Sequence, residues 1–242
     1  MNWHAVLGIL SATALFIPIV LIIVLRLFKH TSFLALGVYY LLPGIYELGQ
    51  QNILPLSKNI SHYLGITNNL LDAPMMMTFL LFFSYSVRMS KKIKYGIFIF
   101  IVFEVVVLIL FGMTVKAITV VLAPGILIIL CLSFIMFLRQ VRVTIMQQRG
   151  MGKSLMISSV LFAYTIYGLI YLFYYVLDTP YKTDALLVYY LASFLSSLLL
   201  SFGILINIKR IKKLNELKHT RKELASIYGE TTTTIVAKTG SL

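Results

Sequence analysis

The chain has 242 residues, of which 60% are hydrophobic and 12% are charged, and its mean hydropathy is +0.93. This composition is too apolar for a water-soluble domain of such length. The formal net charge of +13 could indicate nucleic-acid binding, but in a membrane protein basic residues set topology and attract acidic lipid headgroups. We therefore expect an all-α integral membrane protein whose partner is the lipid bilayer, with no nucleic acid.

Seven apolar stretches divide the chain, separated by short connections. Crossing the hydrocarbon takes roughly 20 apolar residues as a helix, which each stretch supplies. The predicted spans are 5–26, 33–52, 67–87, 95–114, 117–138, 154–177 and 185–207. Because no basic segment precedes the first span and no small-residue cleavage site follows it, we interpret it as a retained helix and not a signal peptide. Residues 1–207 are thus predicted to form a seven-transmembrane helix bundle.

The lysines and arginines lie almost entirely on one side of these spans. Of the 21, 18 fall in the tail or in the connections after spans one, three and five, while the opposite side has Lys58, Lys116 and Lys182. The positive-inside rule then predicts an outside N-terminus and a cytoplasmic C-terminus, and we expect the plasma membrane as the location. If one broken segment through Val115 and Lys116 replaced spans four and five, the basic connections would no longer all lie on the same side of the membrane.

The segment after the last span is basic and periodic. Apolar residues recur there every three or four positions, at Ile211, Leu214, Leu217, Leu224 and Tyr228. This pattern predicts a basic amphipathic cytoplasmic helix over 208–230, followed by a disordered tail over 231–242. The helix would serve as a topology anchor, or as a docking site for acidic lipid headgroups or a cytoplasmic protein partner.

Three acidic residues fall within predicted spans, at Glu47, Asp72 and Glu104. An ionisable side chain there costs several kcal/mol unless it is satisfied. Asn68 and Asn69 precede Asp72 by four and three residues, so the three side chains share one helix face. They predict a polar cluster in the outer half of the bundle, either a binding site or a hydrogen-bond cluster that fixes helix packing.

Tyrosines from three spans approach the depth of Asp72. Together with the acidic residues they predict a small-ligand, proton or ion site open to the exterior, with an interfacial aromatic belt as the alternative for the tyrosines. The candidate site comprises Asp72, Asn68, Asn69, Glu47, Glu104, Tyr46, Tyr171 and Tyr175. Glu104 has apolar neighbours in the middle of its span, so it fits either a proton relay or an interhelical hydrogen bond.

The sequence contains none of the common catalytic motifs. HExxH, GxSxG, a phosphate-binding loop and a spaced acidic pair are all missing, and the four histidines form no metal-ligand pattern. Cys131 has no second cysteine to pair with, which excludes an intrachain disulfide. We expect a protein that is not an enzyme and holds no metal.

Three short stretches resemble the microbial rhodopsins, a family with the same span number, orientation and compact length. They are LPGI at 42–45, DAPMM at 72–76 and SFGIL at 201–205. Aligned on them, the counterion of that family falls on Asn68, the retinal lysine on Leu199 and the acidic residue of the same helix on Leu195. The resemblance implies a rhodopsin-like fold without covalent retinal, and it leaves noncovalent retinal or a carotenoid as a conceivable cofactor.

These observations favour a non-enzymatic, receptor-like or sensory seven-helix membrane protein. Its small-ligand or proton site would lie in the outer half of the bundle, around Asp72. One alternative is a small proton or cation transporter or channel in which Glu47, Asp72 and Glu104 form a path across the membrane. Another is a structural membrane subunit whose tail recruits a cytoplasmic partner.

Overall fold

A computed structural model describes residues 3–51, 53–147, 150–173, 177, 185–208, 220, 223 and 224. The chain divides into two units, Met1–Leu205 and Ile206–Leu242. The first unit holds the helices that form the candidate site. The predicted basic helix over 208–230 and the tail over 231–242 fall almost entirely outside the described residues.

The described residues form seven long helices. They are α1 (Trp3–Val24), α2 (Thr31–Gln50), α3 (Lys58–Leu80), α4 (Val87–Phe111), α5 (Val115–Gln147), α6 (Met151–Tyr171) and α7 (Ala185–Ile208). All except α2 are long and apolar enough to cross a membrane, which indicates an integral multi-pass membrane protein. The α2 helix carries three tyrosines and a glutamate, which lower its hydropathy. The total of seven membrane spans and the orientation of the bundle therefore stay predictions.

Two helices extend well beyond the apolar stretches that predicted them. The α3 helix begins at Lys58, before the predicted start at 67, because the Ser57 hydroxyl caps it by accepting from the Ile60 N–H at 3.4 Å. The α5 helix continues through a polar segment to Gln147. The length of an apolar stretch indicates how much of a helix lies in the hydrocarbon, whereas the helix itself ends where caps and turns occur.

A tight turn separates α4 from α5. Gly112 adopts a left-handed φ of 64°, and its N–H donates to the Leu108 carbonyl at 2.8 Å, an arrangement that ends a helix at little cost for glycine. The Thr114 hydroxyl then accepts from the Ala117 N–H at 3.3 Å and starts α5. The two helices pack against each other, so the segment is two helices and not one broken helix.

The α3 helix occupies the centre of the bundle, where it packs against α2, α4 and α5. Near its C-terminal end, Phe79 and Phe82 contact Phe33 of α2 edge-to-face, with ring centroids 6.0 and 5.0 Å apart. Phe33 and Phe79 are fully buried. This aromatic cluster fixes the height of α3 relative to α2, and with it the height of Asp72.

Large apolar side chains cover the outside of the bundle. The α4 helix is the least covered of the six apolar helices, and Ile99, Ile109 and Leu110 on it are 67%, 77% and 70% exposed. A contiguous surface of this kind is unfavourable in water but suits contact with lipid chains.

Small residues bring α6 and α7 into close contact. A Cβ atom built on Gly203 would lie 2.6 Å from Met156 Cγ and 2.9 Å from the Gly152 carbonyl oxygen. Nearby, the Ser159 hydroxyl donates to the Ser196 carbonyl at 2.6 Å. Close backbone approach with a serine hydrogen bond is a common way to join helices in lipid, where the burial of apolar surface contributes little to helix association.

Replacing Gly203 by valine should therefore destabilise the bundle. The added side chain collides with the α6 backbone, and overpacking of this kind costs about 1–3 kcal/mol. The measurement is the thermal unfolding midpoint of the protein in detergent. Gly96→Ala is the matched control, because a Cβ at Gly96 meets nothing within 4 Å. Equal midpoints for the two variants would contradict the close α6–α7 contact.

Candidate ligand site

A partly enclosed cavity of about 230 Å³ lies where six of the helices meet. Of the seven helices, α4 is the one that contributes no lining residue. The polar part of the lining consists of three α3 residues and five tyrosines. These are Asn68, Asn69, Asp72, Tyr39, Tyr40, Tyr167, Tyr171 and Tyr189. Apolar side chains from α1, α2, α5 and α6 complete the wall.

The cavity lies toward the end of the bundle that is remote from most of the basic residues described in the first unit. Leu122 lines it from the beginning of α5, Tyr189 from the beginning of α7 and Tyr171 from the last residue of α6. The arginines of α5, Arg139 and Arg142, lie near the other end of that helix. The cavity and the basic residues therefore occupy opposite halves of the bundle.

Asp72 is the central polar group of the cavity. Its side chain is half-buried, and its Oδ2 accepts a hydrogen bond from the Tyr164 hydroxyl of α6 at 2.9 Å. Tyr164 is fully buried, and the hydroxyl of Tyr39 on α2 faces it. The carboxyl thus connects α3 to α6, Tyr39 extends this contact to α2 through Tyr164, and Asp72 lines the cavity.

The two asparagines line the cavity beside Asp72, as expected for positions three and four residues apart on one helix. Asn69 donates from its Nδ2 to the Gly65 carbonyl at 2.7 Å. This bond fixes the amide and leaves its oxygen as an acceptor. The structure therefore brings Asn68, Asn69 and Asp72 together on one wall.

The tyrosines of the cavity are tied into hydrogen bonds between helices. The Tyr167 hydroxyl lies 2.9 Å from the Ser193 hydroxyl of α7, and Tyr171 donates to the Thr119 carbonyl of α5 at 3.0 Å. The rings of Tyr167 and Tyr189 lie 5.5 Å apart. These contacts hold the hydroxyls of Tyr167 and Tyr171 at defined positions and pack two of the lining rings together.

Glu47 lies next to the cavity but does not line it. Its side chain is 4% exposed, and neither carboxyl oxygen has a hydrogen-bond partner among the described residues. The hydroxyls of Ser11 on α1 and Tyr189 on α7 face it, and the buried Ser11 oxygen is likewise without a partner there. Glu47 is thus a second buried acid, separated from Asp72.

The other predicted site residues that the structure describes do not line the cavity, although the charge of Glu104 interacts with that of Asp72. Glu104 is buried on α4, and its Oε1 has no hydrogen-bond partner among the described residues. Tyr46 packs against Gly65 and lines a neighbouring open pocket, which includes Lys58 and shares Asn69 with the cavity. Tyr175 lies outside the described residues. The cavity therefore contains Asp72, Asn68, Asn69 and Tyr171 of the predicted set, without Glu47, Glu104 or Tyr46.

Sequence reasoning did not identify Tyr164, which holds Asp72. A signal was present, because Tyr164, Tyr167 and Tyr171 are spaced by three and four residues and so share one face of α6. Tyr39, Tyr40 and Tyr167 also belong to the lining without having been predicted. An interfacial belt places tyrosines at helix ends, whereas these three tyrosines form a row along one face of α6.

We expect Asp72 and Tyr164 to be energetically coupled. In a double-mutant cycle of Asp72→Ala, Tyr164→Phe and the double variant, the coupling should be about 0.5–3 kcal/mol because the residues share a hydrogen bond. Unfolding in detergent measures it. Tyr95→Phe serves as the control, since Tyr95 is 68% exposed on α4 and should be additive with Asp72→Ala. Additive effects of Asp72 and Tyr164 would contradict the bond.

Comparison with known proteins identifies no relative. No protein-family model matches the chain, and no curated protein or solved structure matches it. The geometry of the cavity is therefore the basis on which a function can be assigned.

Proposed function

We propose that this chain is a non-enzymatic, receptor-like or sensory membrane protein whose cavity at Asp72 binds a small cationic ligand or a proton. The observation that carries the proposal is the Asp72 carboxyl, which accepts from Tyr164 at 2.9 Å and belongs to a half-buried residue lining a cavity of about 230 Å³. An ionisable group inside a membrane bundle marks a functional site by default, because its placement is costly.

The lining favours a cation over other ligands. No lysine or arginine is among the described residues that line the cavity, so an ionised Asp72 has no counter-charge within this part of the lining. The rings of Tyr39, Tyr40, Tyr167 and Tyr189 add the negative faces that attract ammonium groups. The asparagine oxygens of α3 supply further acceptors.

The size of the cavity favours a ligand of few heavy atoms. Pockets for drug-sized molecules measure about 300–1,000 Å³, whereas this cavity measures about 230 Å³. A small amine or ammonium compound fits that volume better than an extended chromophore. Noncovalent retinal or a carotenoid, which the rhodopsin resemblance leaves open, would require the helices to move apart.

Ligand binding at Asp72 would act directly on α3 and α6, and through α6 on α7. Asp72 belongs to α3, its donor Tyr164 to α6, and Tyr167 of α6 contacts Ser193 of α7. A cation that draws the carboxylate away from Tyr164 would weaken the α3–α6 connection. A ligand shifts such an equilibrium only by the difference in its affinity for the two arrangements, and the basic end of the bundle would relay the shift.

Transport is the second candidate function, and Glu47 is the observation that favours it. Its unpartnered carboxyl faces Tyr189, which lines the cavity. A proton or cation could therefore pass from Asp72 toward Glu47 through the hydroxyls of the tyrosines. The third interpretation, a structural subunit that recruits a cytoplasmic partner, rests on residues 208–230.

Small cations should stabilise the protein through Asp72. We expect tetramethylammonium or ethylammonium to raise the unfolding midpoint of the wild type, whereas acetate does not. Saturation a hundredfold above Kd would stabilise by about 2.7 kcal/mol. Asp72→Asn should lose the effect and still fold, because an amide oxygen can accept from Tyr164. The readout is thermal unfolding in detergent, with all-trans retinal added separately and followed by its absorption spectrum.

Glu104→Gln is the matched control, because it removes a buried acid that does not line the cavity. It should keep a response to cations, because Asp72 and the cavity lining are unchanged, with the affinity shifted by the loss of the Glu104 charge that acts on Asp72. An equal response in Asp72→Asn would refute the assignment of the site. Proton or cation flux in sealed vesicles that is lost in both Asp72→Asn and Glu47→Gln would favour transport over sensing.

A further inference from the structure

A second concavity opens on the outside of the bundle, between α4 and α5. It is a groove of about 650 Å³, and one of its ends is basic. Tyr85, Ser86, Arg88 and Lys92 line that end. We call it the α4–α5 groove; it shares no lining residue with the cavity at Asp72, and nothing in the proposed function depends on it.

Arg88, Lys92 and Gly96 form one strip of α4. They are spaced by four residues and all line the groove, so successive members lie about one turn, roughly 6 Å, apart along the helix axis. Both cationic side chains are exposed. Gly96 leaves the groove open, because a Cβ at this position would meet nothing within 4 Å.

The positive charge at this end is not balanced by nearby acids in the sequence. No acidic residue lies between Asp72 and Glu104. The α5 helix adds a third cation, since the guanidinium carbon of Arg139 lies 3.1 Å from the ring centroid of Tyr85. The basic end of the groove therefore has the charge to hold an anion.

The remainder of the groove is apolar and faces outward. Leu127 is 62% exposed, Ile128 is 37% exposed and Cys131 is exposed on α5, and all three line the groove. They face Ile93 and Gly96 of α4 across it. Because the outside of the bundle is its lipid-facing surface, an aliphatic chain is the natural occupant of this wall.

We propose that the α4–α5 groove binds an anionic phospholipid. Its phosphate lies between Arg88 and Lys92, and one acyl chain follows Gly96, Leu127 and Cys131. A basic pocket between transmembrane helices at one membrane surface is a recurring form of lipid headgroup site. A free phosphate ion would use the cations but would gain nothing from the apolar wall, so the two halves together select the lipid.

Native mass spectrometry of the full chain, with phosphatidylglycerol and phosphatidylcholine added to the detergent, tests the proposal. The wild type should retain phosphatidylglycerol in preference to phosphatidylcholine. Arg88→Gln with Lys92→Gln should weaken retention of phosphatidylglycerol roughly tenfold or more, because each basic residue near the surface strengthens the binding of an anionic lipid about fivefold. The control pair Lys91→Gln with Lys94→Gln removes the same charge from exposed residues outside the groove and should change retention less than about twofold.

A second pair of variants tests the apolar half without changing charge. Gly96→Leu fills the groove and should lower phosphatidylglycerol retention, while Gly96→Ala should leave it near wild type. The unfolding midpoint of each variant in detergent separates lost binding from lost folding.

Three results would overturn the proposal. If both glutamine pairs lost phosphatidylglycerol retention to the same extent, the lipid would be held by the overall positive charge and not by the groove. Equal retention of phosphatidylglycerol and phosphatidylcholine would mean an apolar surface without headgroup selection. Displacement of phosphatidylglycerol by inorganic phosphate, with Gly96→Leu having no effect, would mean a simple anion site.

Discussion

The hydrogen bond between Asp72 and Tyr164 is the contact on which the candidate site depends. Within hydrocarbon no water is available to solvate a carboxyl, so the protein must supply its partner. The Tyr164 hydroxyl does so at 2.9 Å from a fully buried position. The bond ties the central helix α3 to α6, and Asp72 lines the cavity.

Helix packing determines which acids share that cavity. Glu47 and Glu104 are both buried, with 4% and 7% of their surface exposed, yet neither lines the cavity. The Phe33, Phe79 and Phe82 cluster sets α3 against α2, and the Gly203 contact sets α7 against α6. These contacts bring tyrosines from three helices around Asp72, whereas Glu47 faces Ser11 and Glu104 belongs to α4, which does not reach the cavity.

Much of the architecture follows from sequence, because apolar length and helical spacing are local properties. The seven apolar stretches correspond to the seven helices of the described residues, and Asn68, Asn69 and Asp72, whose spacing predicts a shared face, all line the cavity. The partner of Asp72 was not predictable in the same way. Tyr164 lies 92 positions further along the chain, and contact across that separation depends on how α3 and α6 rotate against each other. The sequence indicates how deep in the membrane a residue lies, but residues at equal depth can face different neighbours. Depth alone therefore could not show that Glu47 lies outside the cavity lining.

The accessibility of the cavity is the most direct test of this account. Cys131 is the single cysteine, so Cys131→Ser gives a background into which Asn68→Cys and Leu70→Cys can be placed. Leu70 is 8% exposed and does not line the cavity. A membrane-impermeant thiol reagent should modify Asn68→Cys from the membrane side opposite the basic residues, and much faster than Leu70→Cys. Equal rates, or modification of Asn68→Cys from the basic side alone, would contradict an open cavity at Asp72.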